Sequence, residues 1–159
     1  MSKSLTVAIS VGILAGLWTF LQVSYLAAYT SVAVGFIAWA CSGLAGKTDA
    51  MQKTVIGMTF GAVIAVVATM LGGIDLPVVG ANLAVGVGIA ALILVLIAGK
   101  VSQVSNVGIN VLGFASAFAI GTGNAGAIDF SNPVVIVLAS SILGCVAGML
   151  ADKLSSAMK

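Results

Sequence analysis

Between Lys3 and Lys47 this chain carries no charged side chain. The same silence recurs from Lys53 to Asp75, from Asp75 to Lys100, from Lys100 to Asp129 and from Asp129 to Asp152. Each interval can supply the roughly 20 apolar residues that a helix needs to cross a bilayer core about 30 Å thick. Of 159 residues, 61% are hydrophobic and 6% charged, against about 25% charged in soluble domains. A water-compatible surface cannot be made from that inventory. The expected class is therefore all-α, a polytopic membrane protein in one transmembrane domain over residues 1–159 with the lipid bilayer as its first partner.

The charges and turn residues cut the chain into six expected spans, 5–27, 31–46, 53–72, 81–99, 104–122 and 132–152. Pro77 and Pro133 fall at span boundaries, where a missing amide donor costs little. Lys3 and the apolar run behind it resemble a signal peptide, but the run passes Ala27 without a polar cleavage region, which predicts an uncleaved first span. Lys3, Lys47, Lys53, Lys100, Lys153 and Lys159 all fall on one side of this layout, while Asp75 and Asp129 fall in the opposite loops. The positive-inside rule then puts both termini in the cytoplasm. Six scattered lysines without a single arginine also argue against nucleic acid as a partner.

Two segments share a phrase: "GFIAWACSGLAG" at 35–46 and "GFASAFAIGTGNAG" at 113–126. Gly35 and Phe36 align with Gly113 and Phe114, and Gly43 aligns with Gly121. Upstream, Ala8, Gly12, Ile13 and Ala15 align with Ala84, Gly88, Ile89 and Ala91. This predicts a 3+3 inverted repeat with halves at about 1–76 and 77–159, since an odd number of spans per half turns the second copy upside down. The glycines at 121, 123 and 126 spell G-x-G-x-x-G, yet a dinucleotide fingerprint needs a strand before it and a helix opening within it. "CSGLAGKT" at 41–48 fails as a phosphate loop for the same reason. Short or glycine-interrupted spans at matching positions point instead to a permeation site. Two complete helices with glycine caps are the alternative.

No acidic or basic group lies near the middle of any span, and the chain has no histidine. Catalysis is not expected, for want of an acid, a base or a metal site, and no cofactor or metal is implied. Cys41 and Cys145 are expected as buried thiols rather than a disulfide. The polar residues left are neutral. Asn106 and Asn110, four apart, share a helical face, and with Ser116 and Ser42 they are candidates for lining a pore or for bonding between helices. Phe36 and Phe114 are candidates for a paired constriction, with packing or lipid contact as the alternative. Gly12/Gly16, Gly57/Gly61 and Gly144/Gly148 form small-xxx-small pairs for helix packing, inside the protomer or between copies of a homo-oligomer.

"AISVGILAGLW", "VGFIAW" and "GFASAFA" resemble the YcdZ-like family of small bacterial inner-membrane proteins, a domain of unknown function. The resemblance implies an inner-membrane location and a six-span layout, and brings no catalytic residue. From the residues themselves, the expected function is a passive channel or facilitator for a small uncharged solute such as urea, an amide or ammonia. A non-transporting scaffold or accessory subunit is the alternative, and a sodium-coupled carrier a third.

Overall fold

A computed structural model describes residues 3–45, 49–73 and 81–158. Asp75, Pro77, Lys47 and Lys159 lie outside the described residues, as does the boundary between the expected halves. Six α-helices and no strand are found among the described residues. α1 (Lys3–Leu21) runs into a π turn (Gln22–Leu26). It is followed by α2 (Val32–Leu44), α3 (Ala50–Leu71) and α4 (Ala81–Ala98). A 3-10 turn (Ser102–Val104) then leads to α5 (Val107–Ile120) and α6 (Pro133–Ala157).

Three helical stretches are long and apolar enough to cross a membrane: Ser4–Leu26, Ala50–Leu71 and Pro133–Ala157. The other three helices are shorter. α2 and α5 have 13 and 14 residues, about 20 Å at 1.5 Å per residue. Their ends explain the shortness of α5. Asn106 caps it by accepting a hydrogen bond from the Ile109 amide at 3.2 Å, so Asn106 precedes the helix instead of lying inside it. Gly121 then stops it with a φ of 102°, a backbone that side chains other than glycine's rarely adopt. α6 begins on Pro133 behind Asn132, whose side chain accepts from the Val134 amide at 2.9 Å. The segment between them holds the G-x-G-x-x-G string as turns, with no strand before it and no helix opening inside it.

Glycines set the packing. Gly61 of α3 lies against the backbone of Asn110 and Phe114, and Gly113 of α5 lies against the backbone of Met58. Gly144 of α6 lies against the backbone of Gly35, and Gly148 against the Trp39 ring. The order of these contacts makes α3 parallel to α5, and α2 parallel to α6. α4 packs back along α3, with Gly86 against the Ala68 carbonyl, and α1 packs along α6. α3 and α6 meet in the middle. Small residues allow backbones to approach this closely, which is how helices associate where lipid removes the usual hydrophobic drive.

The larger core cluster joins α2, α3, α5 and α6 through Val34, Cys41, Met58, Ile109, Val137 and Cys145. A smaller one joins α3 and α4 through Ile64, Ala68, Ala90 and Leu94, and Phe114 and Phe118 pack against both. The outer faces are also apolar. Leu5, Ile13, Leu17 and Phe20 on α1, and Leu83, Ile89, Leu92 and Leu96 on α4, are all exposed. A surface of this kind is at ease in hydrocarbon and costly in water.

Candidate functional site

At the end of the bundle that carries Lys53 and Lys153, the last turn of α2, the first turn of α3 and the last part of α6 draw apart. They leave a vestibule of about 580 Å³. Trp39, Ser42 and Gly43 come from α2, Ala50 and Met51 from α3, and Cys145, Gly148, Met149 and Asp152 from α6. Asp49 stands at the mouth. Trp39 is fixed by its neighbours: its ring stacks on Phe36 at 6.1 Å, and its edge rests on Gly148, where a methyl group would meet it at 2.6 Å. Ser42 donates to the Trp39 carbonyl at 2.7 Å. Asp49 holds a left-handed backbone, φ 58°, ψ 20°, and its side chain does not cap α3.

Cys145 forms the floor. It is fully buried, and its thiol points to the Ala38 carbonyl at 3.8 Å. Cys41 lies in the same cluster, and both cysteines are free. Thr54 of α3, 0% exposed, lies against the Cys145 sulfur and makes no hydrogen bond of ordinary geometry. Thr19, Thr30 and Thr69 each bond back to the carbonyl four residues earlier at 2.9–3.1 Å, whereas Thr54 and Thr59 do not. A buried hydroxyl without a partner carries a desolvation cost of about 1–3 kcal/mol, so two of them on one helix call for a reason.

The sequence candidates do not gather in one place. Ser42 lines the vestibule. Asn110 is 0% exposed between α5 and α3. Its amide donates to the Val104 carbonyl at 2.6 Å, while Oδ1 faces Gly57 without a partner. Ser116 is buried and bonds back to Leu112 at 2.7 Å, and Asn106 is an exposed cap. Phe36 stacks on Trp39, whereas Phe114 tilts against Phe118 at 5.0 Å. Among the described residues no ring contact joins the two phenylalanines. Gly57, Gly61, Gly144 and Gly148 all sit in helix contacts, while Gly12 and Gly16 are exposed, and a methyl group on either would meet no heavy atom within 4 Å.

Sequence reading passes over Thr54, Trp39, Asp49 and Asp152 as site residues. A signal for Thr54 exists. Thr54, Met58, Gly61 and Ala65 follow the helical spacing of one buried face, and Thr54 is its single hydroxyl.

Residues 8–156 match the model of a family described as Protein of unknown function (DUF1097), and the chain belongs to that family. No curated protein and no solved structure matches the chain.

Proposed function

We propose that this member of a family of unknown function is a passive facilitator for a small uncharged solute such as urea, a short amide or ammonia. In this reading it crosses the bacterial inner membrane with six helices as an inverted repeat, both termini cytoplasmic. The resemblance to YcdZ-like proteins supports that location. Exchanging the first three helices with the last three supports the repeat. The α3–α5 contact maps onto α6–α2, α3–α4 maps onto α6–α1, and α3–α6 maps onto itself. Gly61 and Gly113 then correspond to Gly144 and Gly35, and Asp49 before α3 corresponds to Asn132 before α6.

One observation carries the solute reading. Every buried polar side chain among the described residues is neutral, from Thr6 and Ser10 through Thr54 and Asn110 to Ser140, Ser141 and Ser155. Coupled carriers and pumps place ionisable groups inside the membrane. A neutral interior with unpartnered oxygens at Thr54, Thr59 and Asn110 suits a solute that exchanges hydrogen bonds and carries no charge. By the 100° step of a helix, Thr59 is turned about 140° from Thr54, so of the two hydroxyls it is Thr54 that adjoins the floor of the vestibule.

Reconstituted liposomes test it. Gradients of urea, acetamide and ammonia should dissipate faster than in empty vesicles. Thr54→Val should slow permeation about tenfold without loss of stability, because it removes a hydroxyl that makes no hydrogen bond of ordinary geometry. Permeability no greater than that of empty vesicles overturns the proposal. The scaffold reading is favoured by Gly12, Gly16 and Gly88, exposed small residues with no heavy atom within 4 Å of a methyl built there. A foreign membrane protein recovered in stoichiometric amount after mild solubilisation would support that reading instead.

A further inference from the structure

Chemistry at the mouth of the vestibule differs from that of the interior. Trp39 supplies an aromatic wall, Asp49 and Asp152 supply two carboxylates, and Met51 and Met149 supply thioethers. Cys145 closes the floor. Among the described residues no lysine lines the vestibule; Lys153 follows Asp152 in sequence, Lys53 lies one helical turn after Asp49, and Lys47, two residues before Asp49, lies outside the described residues.

Among the described residues, no hydrogen bond ties either carboxylate to a neighbouring helix. Asn132, at the corresponding helix start, uses its side chain to cap α6, whereas the Asp49 side chain makes no cap bond to α3. Asp152 is engaged through its backbone carbonyl, which accepts from Ser156 at 2.8 Å. An independent feature lies just behind the floor: the fully buried Thr54 hydroxyl, set against the sulfur of Cys145 and making no hydrogen bond of ordinary geometry.

We propose that this vestibule binds a small monovalent organic cation, an alkylammonium ion, with its N–H groups on Asp49 and Asp152 and its alkyl end on the Trp39 face. The site rests on the vestibule's being the mouth of the solute path, and it adds to the uncharged solutes of that path a weak base that arrives as its cation. An aromatic face attracts a cation through its quadrupole, and carboxylates accept ammonium hydrogen bonds of the stronger, charge-assisted kind. Thioethers tolerate the alkyl portion. The charge goes no deeper, because the buried polar groups beyond the floor are neutral and desolvating an unpaired ammonium is prohibitive. For passage, one N–H bond of the ammonium breaks and its proton goes to water in the vestibule, giving hydronium on the same side. The neutral amine keeps the electron pair and moves on to the Thr54 hydroxyl.

Trp18 and Trp39 are the chain's two tryptophans, so a Trp18→Phe variant in nanodiscs makes Trp39 a local reporter. Methylammonium chloride, titrated at constant ionic strength against potassium chloride, should change Trp39 emission saturably. Asp49→Asn and Asp152→Asn should each raise the half-saturation concentration about fivefold, and acetamide should give no saturable change. Equilibrium dialysis of labelled methylammonium with the unaltered protein gives the same constant without any substitution at Trp18. Absence of saturable binding in both measurements overturns the cation site, as does binding that survives the double Asp variant. Acetamide permeation in liposomes fails or persists independently. If it persists without methylammonium binding, the facilitator stands and the cation site falls. If it is absent while methylammonium binds, the site stands and the facilitator for uncharged solutes falls.

Discussion

Replacing Gly61 with alanine puts a methyl group where α3 and α5 leave no room for one. The added carbon would lie 2.6 Å from the Phe114 amide nitrogen and closer still to the Asn110 carbonyl oxygen. Ordinary contact begins at 3.4 Å, so α5 must retreat by about 0.8 Å or more, a gap that forfeits roughly a quarter to a half of each dispersion contact it opens. Overpacking of this kind costs about 1–3 kcal/mol, and the better helix propensity of alanine returns about 1 kcal/mol. A net loss of up to about 2 kcal/mol is expected. Gly144→Ala, whose methyl would strike the Gly35 backbone, should behave alike. Gly12→Ala meets nothing within 4 Å and should be neutral or gain up to about 1 kcal/mol. Reversible unfolding by sodium dodecyl sulfate in mixed micelles, followed by tryptophan emission and circular dichroism, reads all three. Equal midpoints for Gly61→Ala, Gly144→Ala and Gly12→Ala would refute the reasoning that glycine contacts set the distances between these helices.

Two further outcomes follow from hydrogen bonds at the ends of helices. Gln22, buried in the π turn, donates to the Thr30 carbonyl at 2.7 Å; Gln22→Met should cost about 1 kcal/mol in the same titration and speed amide exchange around Ser31. At the other loop, the Ser131 hydroxyl and amide both donate to Asp129, at 2.6 and 2.8 Å, and hold its carboxyl below the reference value of 3.8. A depressed folded value means the contribution is complete above the unfolded value and is lost as pH falls through the folded one. Protection of the Ser131 amide should therefore weaken only in acid below that reference. Asp129→Asn should abolish the dependence, and a transition near neutral pH would contradict this account.

The helices are legible because charge and proline placement mark where hydrocarbon ends. Each of the six expected spans overlaps one α-helix of the structure; α1 starts at Lys3 and α3 at Ala50, ahead of their expected spans, and α6 continues past Asp152 to Ala157. Its last turns stay helical because Asp152 and Lys153 are exposed there while Ala151 and Ser155 are buried. The start of α5 is not legible, since an asparagine inside an apolar run looks the same in sequence whether it lies in the helix or caps it. The glycine pairs of α3 and α6 can be read as packing surface, but which face of a helix meets a neighbour is a tertiary property. Gly12 and Gly16 have the same spacing as Gly57 and Gly61, yet a methyl group built on either meets no heavy atom within 4 Å. Of the candidate site, Ser42 is found from sequence and its surroundings are not. A vestibule arises from how three helix ends diverge, and no local pattern of Trp39, Asp49 and Asp152 records that divergence.

The exchange of partners between the first three helices and the last three bears on biogenesis. α1 and α2 lean on α6, while α4 and α5 lean on α3, so neither half encloses a core of its own. During synthesis, α2 leaves the ribosome with its main partner still unmade. From Leu44 to Pro133 the wait is roughly 5–20 s at ordinary elongation rates. Helices with a buried charge would fare badly in lipid over that interval. Neutral helices such as these would escape that cost in a membrane, with only lesser contacts such as that of α2 with α3, until the last helix arrives to gather them.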